Sequence, residues 1–208
     1  MHSQEIVRSG SNKNIKIVRV IARLNIGGPA IHTILLSDEL NKAGYKDILV
    51  SGKVSESEGD MLYLAKDKHI NPIILEDMSR DISIYKDVRS FFRLFQMMKR
   101  ERPEIVHTHT AKAGTLGRLA AVCAGVPIRV HTFHGHVFDG YFHPVKAKFF
   151  LLIERFLALF TNRVVTVSES VKDEIVDKLK VTDRSKCVVI PLGFELDKFL
   201  NSPANSGS

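Results

Sequence analysis

Cysteine is scarce in this chain: Cys123 and Cys187 are the only two, and they stand far apart. A disulfide framework is therefore not expected, and Cys123, inside an Ala-rich apolar helical pattern, reads as a small buried hydrophobe in a reducing compartment. Long hydrophobic runs are missing as well. The longest apolar stretch, residues 149–160, is interrupted by Glu154 and Arg155 and falls well short of the ~20 residues a membrane span needs. Residues 1–14 lack the apolar core of a secretory signal, so the protein is expected to stay in the cytoplasm. No Lys/Arg block is dense enough for a nucleic-acid tail, and no aromatic pair is set within basic residues as in a base-stacking sheet, which argues against nucleic acid as partner.

What is present suits one folded domain. The chain has 208 residues, 44% hydrophobic and 25% charged, ordinary for a globular protein and too short for two full α/β domains. The formal net charge of +7 points to anionic company, either phosphorylated small molecules or an acidic membrane surface. Residues 15–22 read IKIVRVIA, a β-branched run suited to a strand buried on both faces. A Gly27-Gly28-Pro29 turn follows, and Ile31, Ile34, Leu35 and Leu40 carry a helical stripe that stops at residues 41–44.

The alternation repeats. Strands are expected at residues 47–50, 71–75, 104–107, 128–133, 163–167 and 186–190, and helices at 60–68, 84–100, 114–124, 145–160 and, capped by Ser168 and Glu169, 168–179. Such β-α units predict an α/β, Rossmann-like parallel sheet with helices on both faces over residues 15–199. Ligands bind such sheets at the carboxyl ends of the strands. The loops after the first, fourth and fifth strands are thus the places to look.

The first loop, Asn25-Ile26-Gly27-Gly28-Pro29-Ala30, lets a ligand approach the backbone and offers helix N–H groups to an anion; a tight turn without a ligand is the other reading. The G-x-G-x-x-G fingerprint is absent, which argues against an NAD-dependent enzyme. The second loop runs from His107 through Thr108, His109 and Lys112 to Gly114. In an extended strand His107 and His109 share a face, with Lys112 and the amides near Gly114 able to meet an anion; the alternative is a core histidine and a solvated lysine. The third holds His131, His134, Gly135 and His136, then Phe138, Asp139, Gly140 and Tyr141. Its histidines suit recognition of sugar hydroxyls or, less well, a metal: no carboxylate or cysteine stands at a ligand spacing beside them, and no metal is assigned.

Four segments together, HTHTAKAGTLGRLAA, AGVPIRVHTFHGHVF, VVTVSES and IPLGFELDKF, resemble the N-terminal half of family 4 glycosyltransferases, which have the two-domain GT-B architecture. The resemblance covers residues 15–199. It implies transfer of a sugar from a nucleotide-diphosphate donor to a glycan or lipid-linked acceptor with retention of configuration, the acceptor lying mainly on this domain. No separate cofactor is implied, since the nucleotide sugar is a substrate. By the same resemblance Gly27 and Gly28 match the glycine loop near the phosphates, His134 the histidine over the reacting sugar, and His109, Lys112 and Gly114 a segment lining the cleft.

The family's second domain, which carries a pair of glutamates and most donor contacts, does not follow residue 199 here. The chain is accordingly expected to be a cloned domain, a truncated product or half of a split enzyme, flanked by disordered tails at 1–14 and 200–208 and inactive alone. A non-catalytic module binding a sugar phosphate or a protein stays open. So does an epimerase of the same architecture, which should place carboxylates where this chain has histidines. Residues 89–102 (RSFFRLFQMMKRER) are either a core-facing helix with a solvated back or a surface helix touching anionic lipid on the inner face of a membrane.

Overall fold

The computed structural model of the protein describes residues 15–55, 58–79, 83–135 and 144–193, without the side chains of 144–146. Seven strands form one parallel sheet: β1 (Lys16–Ile21), β2 (Lys46–Gly52), β3 (Ile73–Leu75), β4 (Ile105–His109), β5 (Ile128–Phe133), β6 (Arg163–Thr166) and β7 (Cys187–Val189). Their spatial order is β3-β2-β1-β4-β5-β6-β7. The order reverses between β1 and β4, and a crevice opens at such a point beyond the carboxyl ends of the strands.

Among the described residues six α-helices connect them: α1 (Gly28–Lys42), α2 (Leu62–Asp67), α3 (Ile84–Glu101), α4 (Ala111–Ala124), α5 (Pro144–Leu159) and α6 (Glu169–Asp173). Alternate residues of each strand face opposite sides, so each face has its own core. On one side Ile21 and Leu49 pack with Leu24, Ile34 of α1 and Ala65 of α2. On the other Val18, Val20, Val50 and Val106 pack with Leu94 and Met98 of α3 and Ala113, Ala120 and Ala121 of α4. A third cluster joins Phe133, Val164 and Cys187 to Ala158 of α5 and to Val171 and Ile175. Complete burial of one such aliphatic side chain contributes about 1.5–3 kcal/mol.

The α/β reading holds, with shifted boundaries. α4 begins at Ala111, three residues before the position expected, and the segment after Ser168 is a short α-helix that continues as a π-helical turn over Glu174–Lys178. The Ser168 hydroxyl does cap it, accepting from the Val171 amide at 3.3 Å. Gly125 ends α4 in the left-handed conformation (φ 75°), which glycine adopts without a Cβ penalty. Cys123 is exposed, not buried, while Cys187 is buried; the helix turns Ala120 and Ala121 inward and leaves Cys123 on its outer side.

α3 turns one face to the core and exposes the other. Leu94, Met97 and Met98 are buried, yet Tyr85, Val88 and Phe92 are exposed beside Arg89 and Arg93, which pair with Asp77. α5 also exposes Phe149, Leu152, Phe156 and Leu159. Among the described residues no helix is long and apolar enough to cross a membrane. The segments 1–14, 136–143 and 194–208, with His136, Phe138, Asp139, Gly140 and Tyr141, lie outside the described residues.

Candidate functional site

The loops after β1, β4 and β5 meet where the strand order reverses. β4 lies between β1 and β5 with Arg19 beside His107, Ile21 beside His109, and His109 beside Thr132. On the α1 side of the sheet these positions form a buried polar chain. Arg19, fully buried between Val18 and Val20 of β1, donates through Nε to Asp47 at 2.9 Å. Its Nη1 contacts His107 Nδ1 at 2.8 Å and His109 Nε2 at 3.2 Å. His107 Nε2 in turn meets the Thr132 hydroxyl at 2.7 Å, and His109 Nδ1 shares a hydrogen bond of 2.9 Å with His134 Nε2.

His32 closes the cluster, edge-on to His134 and His109 with ring centroids 5.5 and 6.2 Å away. It stands four residues after Gly28 on α1, hence on the same face of that helix, which brings the glycine loop and the histidines to one place. The chain ends at His134. This residue is partly exposed, while its Nδ1 is a buried atom that has no hydrogen-bond partner among the described residues.

The electrostatics follow from burial. His107 and His109 are held well below the ordinary histidine pKa, chiefly because a buried imidazolium is desolvated and further because Arg19 is close. His134 is pulled down to about 4, by burial first and by His32 second. His32 is lowered by burial and then by Arg19. The rings are neutral at pH 7, and Arg19 with Asp47 is the charged pair among them.

The opposite side of the same two strands is built differently. Thr108 points toward α4 and its hydroxyl meets His131 Nδ1 at 2.9 Å. Arg118 donates from Nε to the Gly114 carbonyl at 2.8 Å and from Nη2 to Glu154 at 2.6 Å, tying α4 to α5. A Cβ on Gly114 would lie 2.5 Å from His131 Cε1, and one on Gly117 would lie 2.7 Å from Thr108 Cγ2. Gly114, expected among the ligand contacts, is therefore occupied with letting α4 approach the sheet. Lys112, expected to face an anion, places its Nζ 2.6 Å from Asp87 of α3.

The remaining expected residues have room above them. Among the described residues, a Cβ on Gly28 or Gly135 would meet nothing within 4 Å, and one on Gly27 only the Pro29 ring at 3.9 Å. α1 has no acidic residue in its first turn and no side-chain cap, and the same holds for α4, so both helix N-termini keep their partial positive charge. Between β4 and α4 stands Thr110 with φ 66° and ψ 157°, an outlier for a β-branched residue, whose hydroxyl accepts from the Ala22 amide at 3.3 Å. It pins the second loop to the end of β1.

Arg19, Asp47 and His32 escape a reading of the sequence. A lone arginine inside IKIVRVIA is the one available signal, because a charge in a strand buried on both faces demands a partner. Among the described residues no group of histidines, cysteines and carboxylates is arranged to hold a metal ion.

The chain has known relatives. A segment of 137 residues, 64% of the chain, is 37% identical to the UDP-Gal:alpha-D-GlcNAc-diphosphoundecaprenol alpha-1,3-galactosyltransferase of Escherichia coli. Over 119 residues, 56% of the chain, it is 30% identical to the capsular polysaccharide biosynthesis glycosyltransferase CapM of Staphylococcus aureus. These matches span 34% and 30% of the two relatives' lengths. The structure of a glycosyltransferase from Rickettsia africae ESF-5 superposes with a TM-score of 0.66 at 22% identity, covering 92% of this chain and 47% of that one; the shared fold is one half of the GT-B architecture. The family model Glycosyltransferase Family 4 matches residues 26–198, and the chain belongs to that family.

Proposed function

We propose that this chain forms the acceptor-side wall of a retaining glycosyltransferase that moves a sugar from a nucleoside-diphosphate donor to a lipid-linked or polysaccharide acceptor, with most donor contacts on a second domain. The observation that carries this reading is the convergence of three strand-end loops on His134. A polar, partly exposed imidazole whose buried Nδ1 lacks a partner among the described residues suits recognition of a sugar, which presents hydroxyls in every direction. The open backbone at Gly27 and Gly28, at the start of a helix without acidic residues in its first turn, suits the approach of a phosphate.

The relatives support the choice of substrate class. One is named for UDP-galactose and a diphosphoundecaprenol-linked acceptor, the other for capsular polysaccharide biosynthesis. His134, Gly27, Gly28, Gly135 and His109 form the substrate side of the site, while Lys112 and Gly114 support it from α4. A lipid-linked acceptor also gives a use to the exposed Tyr85, Val88 and Phe92 beside Arg89 and Arg93 on α3, as a shallow peripheral contact with the inner face of the membrane. Salt-sensitive binding to anionic vesicles is expected, and its absence at low salt removes that contact.

The test is turnover by the full-length protein on a panel of nucleotide sugars with a diphosphoprenol-linked acceptor. His134→Ala should lower kcat/KM by roughly 10²-fold, the scale of one transition-state hydrogen bond. An unchanged rate removes His134 from the reaction. Binding of a nucleotide sugar without any turnover would instead mark a non-catalytic module.

A further inference from the structure

The buried chain from Asp47 to His134 has a direction, and that direction is set at Arg19. A guanidinium has donors and no acceptor, and it stays protonated in proteins. The two hydrogens of Arg19 Nη1 account for its two short contacts, to His107 Nδ1 and His109 Nε2, so both of those ring nitrogens present lone pairs. A neutral imidazole carries its hydrogen on the other nitrogen. His107 therefore donates from Nε2 to the Thr132 hydroxyl, and His109 donates from Nδ1 to His134 Nε2. The lone pair of His134 is then used, and its hydrogen sits on Nδ1, a buried atom with no partner among the described residues.

We propose that Arg19 is a positioning residue that fixes the proton arrangement of this histidine chain, so that His134 meets a substrate oxygen as a hydrogen-bond donor through Nδ1–H. Protonating His134 would put hydrogens on both of its nitrogens. His109 Nδ1 would have to become the acceptor, and its Nε2–H would then face the Arg19 donor. The chain cannot reverse while the guanidinium stands at its root, anchored by Asp47 at 2.9 Å. His134 is thereby excluded as the base that removes a proton from the acceptor hydroxyl. It serves to hold a sugar hydroxyl or to stabilise charge gathering on a departing phosphate oxygen.

The identity of that oxygen rests on the functional reading above; the proton arrangement does not. In a long-range ¹H–¹⁵N spectrum of the ¹⁵N-histidine-labelled chain at pH 7, His109 and His134 should each carry their hydrogen on Nδ1, and His107 on Nε2. A hydrogen on Nε2 of His134, or exchange-averaged nitrogens at His109, overturns the proposal in the wild-type protein alone. Arg19→Met with Asp47→Leu replaces the buried pair by apolar side chains and should leave the His109 and His134 nitrogens averaged between tautomers while methyl dispersion persists. Unchanged tautomers in that variant also overturn it. An inactive full-length protein with the expected tautomers would sink the sugar-transfer reading and leave the wiring intact, whereas averaged tautomers in an active one would do the reverse.

Discussion

His109 on β4 and His131 on β5 are both fully enclosed, both held well below the ordinary histidine pKa by burial, and both beside an arginine-carboxylate pair, yet they sit on opposite sides of the sheet. On the α4 side the network is sealed. His131 is wedged against Gly114 and Thr108, and the Arg118–Glu154 pair beside it is buried between two helices. On the α1 side the network has the same ingredients but runs outward, from Arg19 and Asp47 through His109 to an edge at His134. Residue type does not separate the two networks. What separates them is whether the hydrogen-bond chain terminates inside the protein or at its rim.

The strongest way to break this contrast is at the sealed side. Arg118→Met leaves the Glu154 carboxylate buried without its partner and should lower unfolding free energy by about 3–5 kcal/mol in urea titrations, whereas adding Glu154→Leu should recover most of that loss. A single variant as stable as wild type would show that the pair is not a structural tie. Next in size, Gly114→Ala drives a methyl against His131 and should cost about 1–3 kcal/mol, less up to about 1 kcal/mol of helix propensity regained. Gly28→Ala, with open space around it, is the control and should leave the melting temperature in place. Smaller than both of those losses is that of His134→Ala itself: a partly exposed ring with one hydrogen bond to His109 should change unfolding free energy by about 1 kcal/mol while activity collapses. A large loss of stability there would move His134 to the structural side of the comparison.

Much of the fold was legible because it depends on local periodicity. β-branched runs, helical stripes and turn glycines give the strand-helix order without knowledge of partners. The shared face of His107 and His109 was legible for the same reason, as strand alternation is a local rule, and their ring centroids stand 4.2 Å apart. The packing role of Gly114 was not legible because a glycine that admits a ligand and one that admits a helix look alike until the neighbour is known, and the neighbour is His131 on the adjoining strand. Arg19 and His32 were missed because their meaning is created by pairing across the sheet: Asp47 comes from β2, the histidines from β4 and β5. Cys123 was misplaced by the Ala-rich composition of α4, which supplies small side chains to its outer side as well as its inner one.

The five residues of β4, Ile-Val-His-Thr-His, send odd-numbered side chains to one side and even-numbered ones to the other. Inserting or deleting a single amino acid between 105 and 109 would swap the two sets at a stroke, presenting a threonine where the Arg19 network holds imidazoles and forcing imidazoles against the α4 glycines. Point changes in this segment can accumulate by degrees; length changes cannot. The parity of one short strand is thus a constraint on how this protein can evolve, separate from the identity of any residue in it.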